Sequence, residues 1–329
     1  MSEESVNLIR VSLDALVDAA EVFPSVVRMD LYASILHIFT ILLGTTVCQA
    51  EAVPRSLSIF KRFITIITRS GGGNNIELVI TQVRGGLNNI VNILDNAKYT
   101  TPLTLAACTC TPNSSYRLKA AEIAIPAVKN CLTAATIILT AGINVIPPSD
   151  ENIPRLLDNI LEAFRDRDIS RTAIHCCRSL LMTSPKTQCD QDIVRYLLPR
   201  LVTFVTTNLD PSDVDLTQAQ SGVCAVFTGF VGTMVGEQSV VAMALVVPTL
   251  LARAASEKSL WKETAGRLLE LVGMDQGGFR KVVNGMGVRQ RGFMEEVLRS
   301  GAVVEKGGQG EAMQQQGQPT IALKMNFGA

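Results

Sequence analysis

The chain has 329 residues, of which 47% are hydrophobic, 5% aromatic and 18% charged. Because a disordered chain needs few aliphatic residues and much charge, this composition excludes a disordered protein. The 30 Lys and Arg residues balance the 30 Asp and Glu residues. No overall field therefore draws the chain to nucleic acid or to an anionic membrane, and we expect no nucleic-acid partner.

Helical periodicity extends through nearly the whole chain. In the first run, apolar residues recur every three or four positions from Val6 to Ala20, as on one buried face of a helix. A second run begins at Pro24, which the first turn of a helix tolerates. The apolar face of this second run is predicted to carry Val27, Leu31, Ile35 and Ile38.

Ten further helical runs follow, separated by turn-forming residues. They are predicted over 54–70, 75–95, 116–141, 151–166, 169–183, 190–208, 215–235, 238–255, 259–273 and 278–299. In the last of them, Gly285-Met286-Gly287 suggests a break into two short helices. We therefore predict an all-α protein.

A weak repeat lies within this pattern. The tripeptide Val53-Pro54-Arg55 leads into a leucine-rich helix. Three later tripeptides, Ile153-Pro154-Arg155, Leu198-Pro199-Arg200 and Val247-Pro248-Thr249, each lead into such a helix that is followed by a loop and a second helix. Their prolines are 45 and 49 residues apart, and two antiparallel helices per roughly 40–50 residues is the period of HEAT and armadillo arrays. Since one such pair cannot bury both faces, it must stack on its neighbours. We predict a HEAT- or armadillo-like α-solenoid over 1–300; the alternative is an irregular helical bundle.

The last 29 residues have a different composition. Residues 301–318 are rich in Gly, Gln, Glu and Lys without an apolar period, so we predict a flexible tail over 301–329. Near its end, alternate positions are apolar, as in an extended segment with one apolar face. These positions are Ile321, Leu323, Met325 and Phe327. Two interpretations stay open: a peptide that docks on a partner or on the solenoid itself, and an ordinary chain end.

The search for catalytic or ligand-binding residues finds no convincing pattern. The sequence has neither a GxxxxGK[ST] phosphate loop nor a GxGxxG turn. His37 lies in an apolar run, where we expect it to pack in the core, and His175 precedes Cys176-Cys177. Consecutive helical residues point about 100° apart, so these last three cannot converge on one metal ion. We expect the eight cysteines to be small buried residues with reduced thiols, and we predict no enzyme activity, cofactor or metal.

Several stretches together resemble a known family. The chain is similar, over most of its length, to the C-terminal portion of the large HEAT-repeat accessory proteins of the trans-Golgi clathrin adaptor complex, in their fungal form. The stretches that carry the resemblance include SLDALVD at 12–18, LHIF at 36–39, GFMEEVLR at 292–299 and IALKMNF at 321–327. Members of that family are several times longer than this chain.

The resemblance implies a non-enzymatic scaffold for vesicle traffic between the trans-Golgi network and endosomes. Its expected partners are the clathrin adaptor complex and a synergin- or aftiphilin-like subunit, and self-association is a further expectation. The expected location is the cytoplasm, peripheral to trans-Golgi and endosomal membranes, with membrane contact made through partners. The alternative is a helical-repeat carrier or regulatory subunit of another class, such as a nuclear import receptor or a phosphatase scaffold. The balanced charge argues against the import receptor.

Overall fold

The computed structural model describes residues 3–23, 29–44, 52–70, 76–98, 114–141, 146–147, 149–183, 188–207 and 213–307. Every regular element within these ranges is a helix, and the prediction of an all-α fold is confirmed. The predicted docking residues Ile321, Leu323, Met325 and Phe327 lie outside the described residues, as does the rest of the tail from 308 onward. The division into 1–300 and 301–329 stays a prediction.

The helix bounds follow the sequence periods closely, and most differ from them by only a few residues. They are α1 Glu3–Val22, α2 Met29–Gly44, α3 Ala52–Ser70, α4 Ile76–Lys98, α5 Ser114–Ala141, α6 Asn152–Ala163, α7 Ser170–Met182, α8 Gln188–Thr206, α9 Val214–Gly232, α10 Glu237–Ser256, a 3-10 turn Lys258–Leu260, α11 Trp261–Met274, α12 Gln276–Gly285 and α13 Val288–Gly307. The predicted run 278–299 is thus two helices, and the break falls at Met286 and Gly287, where the glycine pair indicated it.

The helices are arranged in two layers. The odd layer contains α1, α3, α5, α7, α9, α11 and α13, and each of these helices packs on the next odd-numbered one. The even layer contains α2, α4, α6, α8, α10 and α12, packed in the same way. Because the chain alternates between the layers, consecutive helices form antiparallel pairs that stack side by side. This arrangement is an α-solenoid, as the repeat predicted.

The core lies between the layers and is mainly aliphatic, with most of its aromatic residues in small groups. In α2, Ile35 and Phe39 are buried, and the Phe39 ring lies 5.2 Å from that of Phe60 in α3. The apolar face predicted for this helix is partly wrong, because Leu31 and Ile38 are exposed; Val27 lies outside the described residues. His37 is exposed as well, so the prediction that it packs in the core is also wrong. Because α2 packs against α4 and α5, the side of the helix with Ile35, Leu36 and Phe39 is buried, and the side with His37 and Ile38 is exposed.

Aspartates set the starts of several helices. The carboxylate of Asp213 accepts a hydrogen bond from the Leu216 amide at the start of α9, and that of Asp275 accepts one from the Gly278 amide at the start of α12. Between α9 and α10 the backbone turns at Gly236, where φ is 62°. A residue with a side chain rarely adopts that value, so glycine is required for this turn. These caps and turns fix the bounds of the helices that build the surface described next.

Candidate interaction surface

A series of arginine–aspartate contacts, which we call the arginine ladder, joins neighbouring helices of the even layer. Arg155 of α6 reaches back to α4, where its Nη2 lies 2.5 Å from Oδ2 of Asp95. Arg200 of α8 reaches back to α6, where its Nε lies 3.8 Å from Oδ1 of Asp158. In the other direction, Arg84 of α4 pairs with the buried Asp150 just before α6, and completes the ladder.

The repeated Pro-Arg dipeptide explains two steps of the ladder. Pro154 and Pro199 are both exposed, and the arginine that follows each proline contacts the preceding even helix. Tyr196 strengthens the second step, since its hydroxyl donates to Asp158 at 3.1 Å and its ring lies 3.6 Å below the Arg200 guanidinium. The dipeptide is therefore a device for joining repeats.

The third tripeptide of the repeat ends in threonine instead of arginine, and the ladder stops at α10. Thr249 is buried and donates its hydroxyl to the Leu245 carbonyl at 2.8 Å, inside its own helix. Between Gln238 and Ser256, no exposed residue of α10 is charged. From Val241 to Ala255 the outward side of α10 is apolar over about 21 Å, since an α-helix rises about 1.5 Å per residue. This α10 face comprises Val241, Ala244, Leu245, Pro248, Ala252 and Ala255.

Val241 is the more exposed of the two large aliphatic side chains on the α10 face. Its exposed fraction is 71%, against 37% for Leu245 one turn later. Pro248 is half-buried, and the three alanines are exposed. A charge-free exposed helix side of this length is unusual in a protein surface, where Lys, Arg, Glu and Asp normally predominate. The feature is therefore a candidate site for contact with another molecule.

Basic residues border the α10 face on both sides. A methyl group built on Gly278 would lie 3.2 Å from Cγ2 of Val240, so the first turn of α12 lies beside the first turn of α10. Since each residue turns the helix by about 100°, Lys281 then lies on the solvent side of α12 next to α10. On α8, Tyr196 points to α6, which places Arg195 on the solvent side nearer α10.

The two basic residues differ in their partners. Lys281 forms no ion pair with any residue in the described part of the chain, whereas Nη1 of Arg195 lies 3.2 Å from Oδ1 of Asp192 on the same helix. At the start of the face, Glu237 is exposed, and the Asp275 carboxylate is occupied by the helix cap. The middle of the border thus has a cation without an ion pair to any described residue at Lys281 and an ion-paired one at Arg195, and the first turn of the face is acidic.

Beneath the α10 face lies an ionic cluster in which the arginine is buried and its carboxylate partner, Glu263, is 29% exposed. The side chain of Arg253 is only 1% exposed, and its Nη1 lies 2.9 Å from Oε2 of Glu263 in α11. Ser221 of α9 links the two, since its hydroxyl accepts from Arg253 at 2.7 Å and donates to Glu263 at 2.8 Å. The cluster joins three helices of the two layers and holds α10 in position.

Four cysteines, Cys131, Cys176, Cys177 and Cys224, are buried, as predicted. Burial raises the pKa of Cys131 to about 12 and that of Cys176 to about 11, and it raises the pKa of Cys177 well above its usual value. Burial also raises the pKa of Cys224 to about 12. His175 is exposed, on a different side of α7 from its two cysteine neighbours. Within the described ranges, no group of three or more His, Cys, Asp or Glu side chains is arranged to hold a metal ion.

One helix of the described part, α10, is long and apolar enough to cross a membrane by length and composition. Its most apolar window is, however, 56% buried inside the fold. The side opposite the α10 face packs on α8, α9, α11 and α12. A core helix of a solenoid layer passes the same test of length and composition, and the packing of α10 agrees with that role.

Comparison with known proteins concerns mainly the second half of the chain. Residues 149–311 match the family model described as LAA1-like, C-terminal TPR repeats. This stretch contains α6 to α13 and is therefore a helical-repeat region similar to that of LAA1-like proteins. A search of curated proteins found no match.

A solved structure, titled "Computational Design of Self-Assembling Cyclic Protein Homooligomers", aligns over 92% of this chain and 97% of that chain. The sequence identity is 9% and the TM-score is 0.19. A likeness at this level carries no argument about shape or function.

Proposed function

We propose that this chain is a non-enzymatic helical-repeat scaffold that assists clathrin-adaptor-dependent vesicle traffic between the trans-Golgi network and endosomes. The match of residues 149–311 to LAA1-like repeats is the observation that carries the proposal. The resemblance of stretches such as 12–18 and 292–299 to the large accessory proteins of the trans-Golgi clathrin adaptor supports it from the sequence.

The architecture suits a scaffold, since stacked helix pairs present extended surfaces on which partners can bind. In such surfaces a few anchoring contacts supply most of the binding energy. The proposed partners are the clathrin adaptor complex and a synergin- or aftiphilin-like subunit. The proposed location is cytoplasmic and peripheral at trans-Golgi and endosomal membranes, with membrane contact made through these partners. Self-association belongs to the same proposal, and would appear as a sedimentation coefficient above that of a 35.5 kDa chain.

The test is purification of the tagged chain from cells, followed by mass spectrometry. Recovery of clathrin-adaptor subunits together with a small synergin-like protein is the expected result. Recovery of import factors or of a phosphatase catalytic subunit in their place would contradict the trafficking role and favour another class of helical-repeat protein. A tagged helical-repeat protein of unrelated function, expressed at the same level, controls for nonspecific capture.

The tail requires a separate variant. We propose that Ile321, Leu323, Met325 and Phe327 form a docking peptide for a partner, and a chain ending at Gly307 removes it while keeping α13 whole. Leu323→Ala with Phe327→Ala is expected to reduce partner recovery severalfold, because two apolar anchors are lost. The thermal midpoint should stay unchanged. Full recovery with both variants would contradict the docking role, and Gln314→Ala with Gln316→Ala is the matched control.

A further inference from the structure

We propose that the α10 face, bordered by Lys281 and Arg195, is a docking site for a partner segment with an apolar side and acidic residues beside it. This inference rests on the proposed scaffold function and names one of its contact surfaces. The partner is a protein segment, and its chemistry is identified by what the face offers.

The apolar part of the face supplies the anchoring contacts. Val241 and Leu245 are one helical turn apart, and Ala244, Ala252 and Ala255 add small exposed apolar side chains to the same side of the helix. An amphipathic helix or an extended segment with two or three large apolar side chains would cover such a surface. Covering Val241 is favourable because its side chain is 71% exposed in the chain alone.

The charges select the partner. Lys281 has no ion pair with a described residue, so an incoming carboxylate would gain a partner without displacing another. Arg195 can share its guanidinium between Asp192 and a second carboxylate, since it carries five donors. A basic segment would meet like charge on both sides of the face. Acidic residues beside the apolar anchors are therefore the complementary pattern.

Charge also argues against the other occupants. The apolar segment 321–327 of the chain's own tail contains Lys324 and no Asp or Glu, so it has no carboxylate beside its apolar side chains for Lys281 and Arg195 to attract. An anionic membrane would suit the two basic residues. The face, however, contains none of the Trp or Phe residues that are typical of interfacial helices, and two cations give little attraction to lipid.

The experiment selects peptides from a display library of random 16-residue sequences on the full chain. Selected peptides are expected to combine apolar residues with Asp or Glu, and their binding is then measured by fluorescence anisotropy. Val241→Glu with Ala244→Glu should weaken binding at least about tenfold. The change replaces apolar contact surface by hydrated carboxylates, and these repel the acidic residues of the peptide. Both positions are exposed, so the thermal midpoint should move by no more than about 2 °C.

Two matched variants locate the effect. Leu269→Glu places one glutamate, against two in the α10 change, on an exposed apolar position of α11 in the odd layer, and binding should stay within about twofold of the unmodified chain. Lys281→Glu should weaken binding by about three- to fivefold at low salt and by less at high salt, since an exposed charge is screened. Arg171→Glu, in an exposed part of α7, controls for a nonspecific loss of positive charge and should have no effect.

Several outcomes would overturn the proposal. These are failure to enrich peptides above an unrelated helical protein, enrichment of Lys- or Arg-rich peptides, and binding that Val241→Glu with Ala244→Glu leaves unchanged. A gain of tenfold in peptide affinity on truncation after Gly307 would assign the face to the tail. Vesicles of 30% phosphatidylserine and 70% phosphatidylcholine that bind the chain, but not the variant with Val241→Glu and Ala244→Glu (the α10 variant), would assign the face to a membrane.

The same variants separate this proposal from the scaffold proposal. If no peptide binds the α10 face but adaptor subunits still co-purify with the α10 variant, the scaffold function stands and the docking site is elsewhere. If acidic peptides bind the face but no adaptor subunit is recovered, the docking site stands and the partner belongs to another class.

Discussion

Arginines join helices in both halves of the molecule, but in opposite environments. In the first half, Arg62 of α3 contacts Asp18 and Glu21 of α1 at 2.6 and 2.5 Å, and its side chain is 39% exposed. In the second half, Arg253 of α10 contacts Glu263 at 2.9 Å with a side chain only 1% exposed. Arg62 has the larger number of carboxylates near it, since Asp14 is also within 3.4 Å.

The comparison shows why the number of ion pairs is a poor measure of stability. The carboxylates around Arg62 raise its pKa, chiefly through the hydrogen bonds that Glu21 and Asp18 accept from its guanidinium, but water solvates all members of the group. An exposed pair of this kind contributes little. Arg253 has lost nearly all contact with water, so its remaining partners determine whether α10 can stay in place. We therefore expect the single Arg253–Glu263 pair to contribute more to the free energy of unfolding than the three pairs of Arg62.

The largest effect is expected from Glu263→Ala. Removing this carboxylate leaves the Arg253 guanidinium buried without a counter-charge, and we expect the free energy of unfolding to fall by about 3 kcal/mol or more. Equilibrium urea unfolding followed by far-UV circular dichroism measures it. Glu270→Ala on the same helix is the control, because the Glu270 side chain is 47% exposed and pairs, among the described residues, only with its i,i+3 neighbour Arg267, and the change should cost under about 0.5 kcal/mol.

The double variant Arg253→Met with Glu263→Leu tests the reason for this effect. If the cost arises from an uncompensated buried charge, removing both charges should restore most of the lost stability, to within about 1 kcal/mol of the unmodified chain. A double variant as unstable as Glu263→Ala would instead show that the cluster contributes through its specific hydrogen bonds with Ser221.

An intermediate effect is expected from Arg155→Ala in the arginine ladder. Arg155 donates to Asp95 at 2.5 Å and to Asn92 at 2.9 Å, and its side chain is 38% exposed. Because water screens part of these contacts, we expect the free energy of unfolding to fall by about 1 kcal/mol in the urea titration. Arg171→Ala on α7, whose side chain is exposed, is the matched control. If Arg155→Ala lowered the free energy of unfolding as much as Glu263→Ala does, burial of the arginine would not be what sets the size of the effect.

Much of the fold could be predicted from the sequence, because each solenoid helix buries one side and so has a regular apolar period. The bounds of α6 to α11 followed from such periods, and the break between α12 and α13 followed from the Gly285–Gly287 turn. The orientation of α2 could not be obtained in this way. Its residues 35–39 are apolar on nearly all sides, so packing partners far away in sequence decide that Phe39 is buried and Ile38 exposed.

The candidate site was only partly visible in the sequence. The proline repeat drew attention to Pro154, Pro199 and Pro248, and Thr249 in the place of an arginine was the signal that the even layer changes at α10. That signal acquires meaning only when Arg155 and Arg200 are seen to contact the preceding helices. Arg253 gave no signal at all, because a lone arginine in an apolar helix is normally expected to reach solvent.

The smallest effect is expected from Arg62→Ala, despite its three carboxylate neighbours. We expect a loss below about 1 kcal/mol in low salt, and a difference from the unmodified chain that shrinks further in about 0.5 M NaCl, where charges more than a few ångströms apart are screened. Part of the loss is offset because the substitution also removes the ordering of three acidic side chains. The loss on Glu263→Ala should persist in the same salt, since ions cannot approach Arg253. If both losses shrank equally in salt, Arg253 would have to be reached by solvent, and the distinction between the two halves would fail.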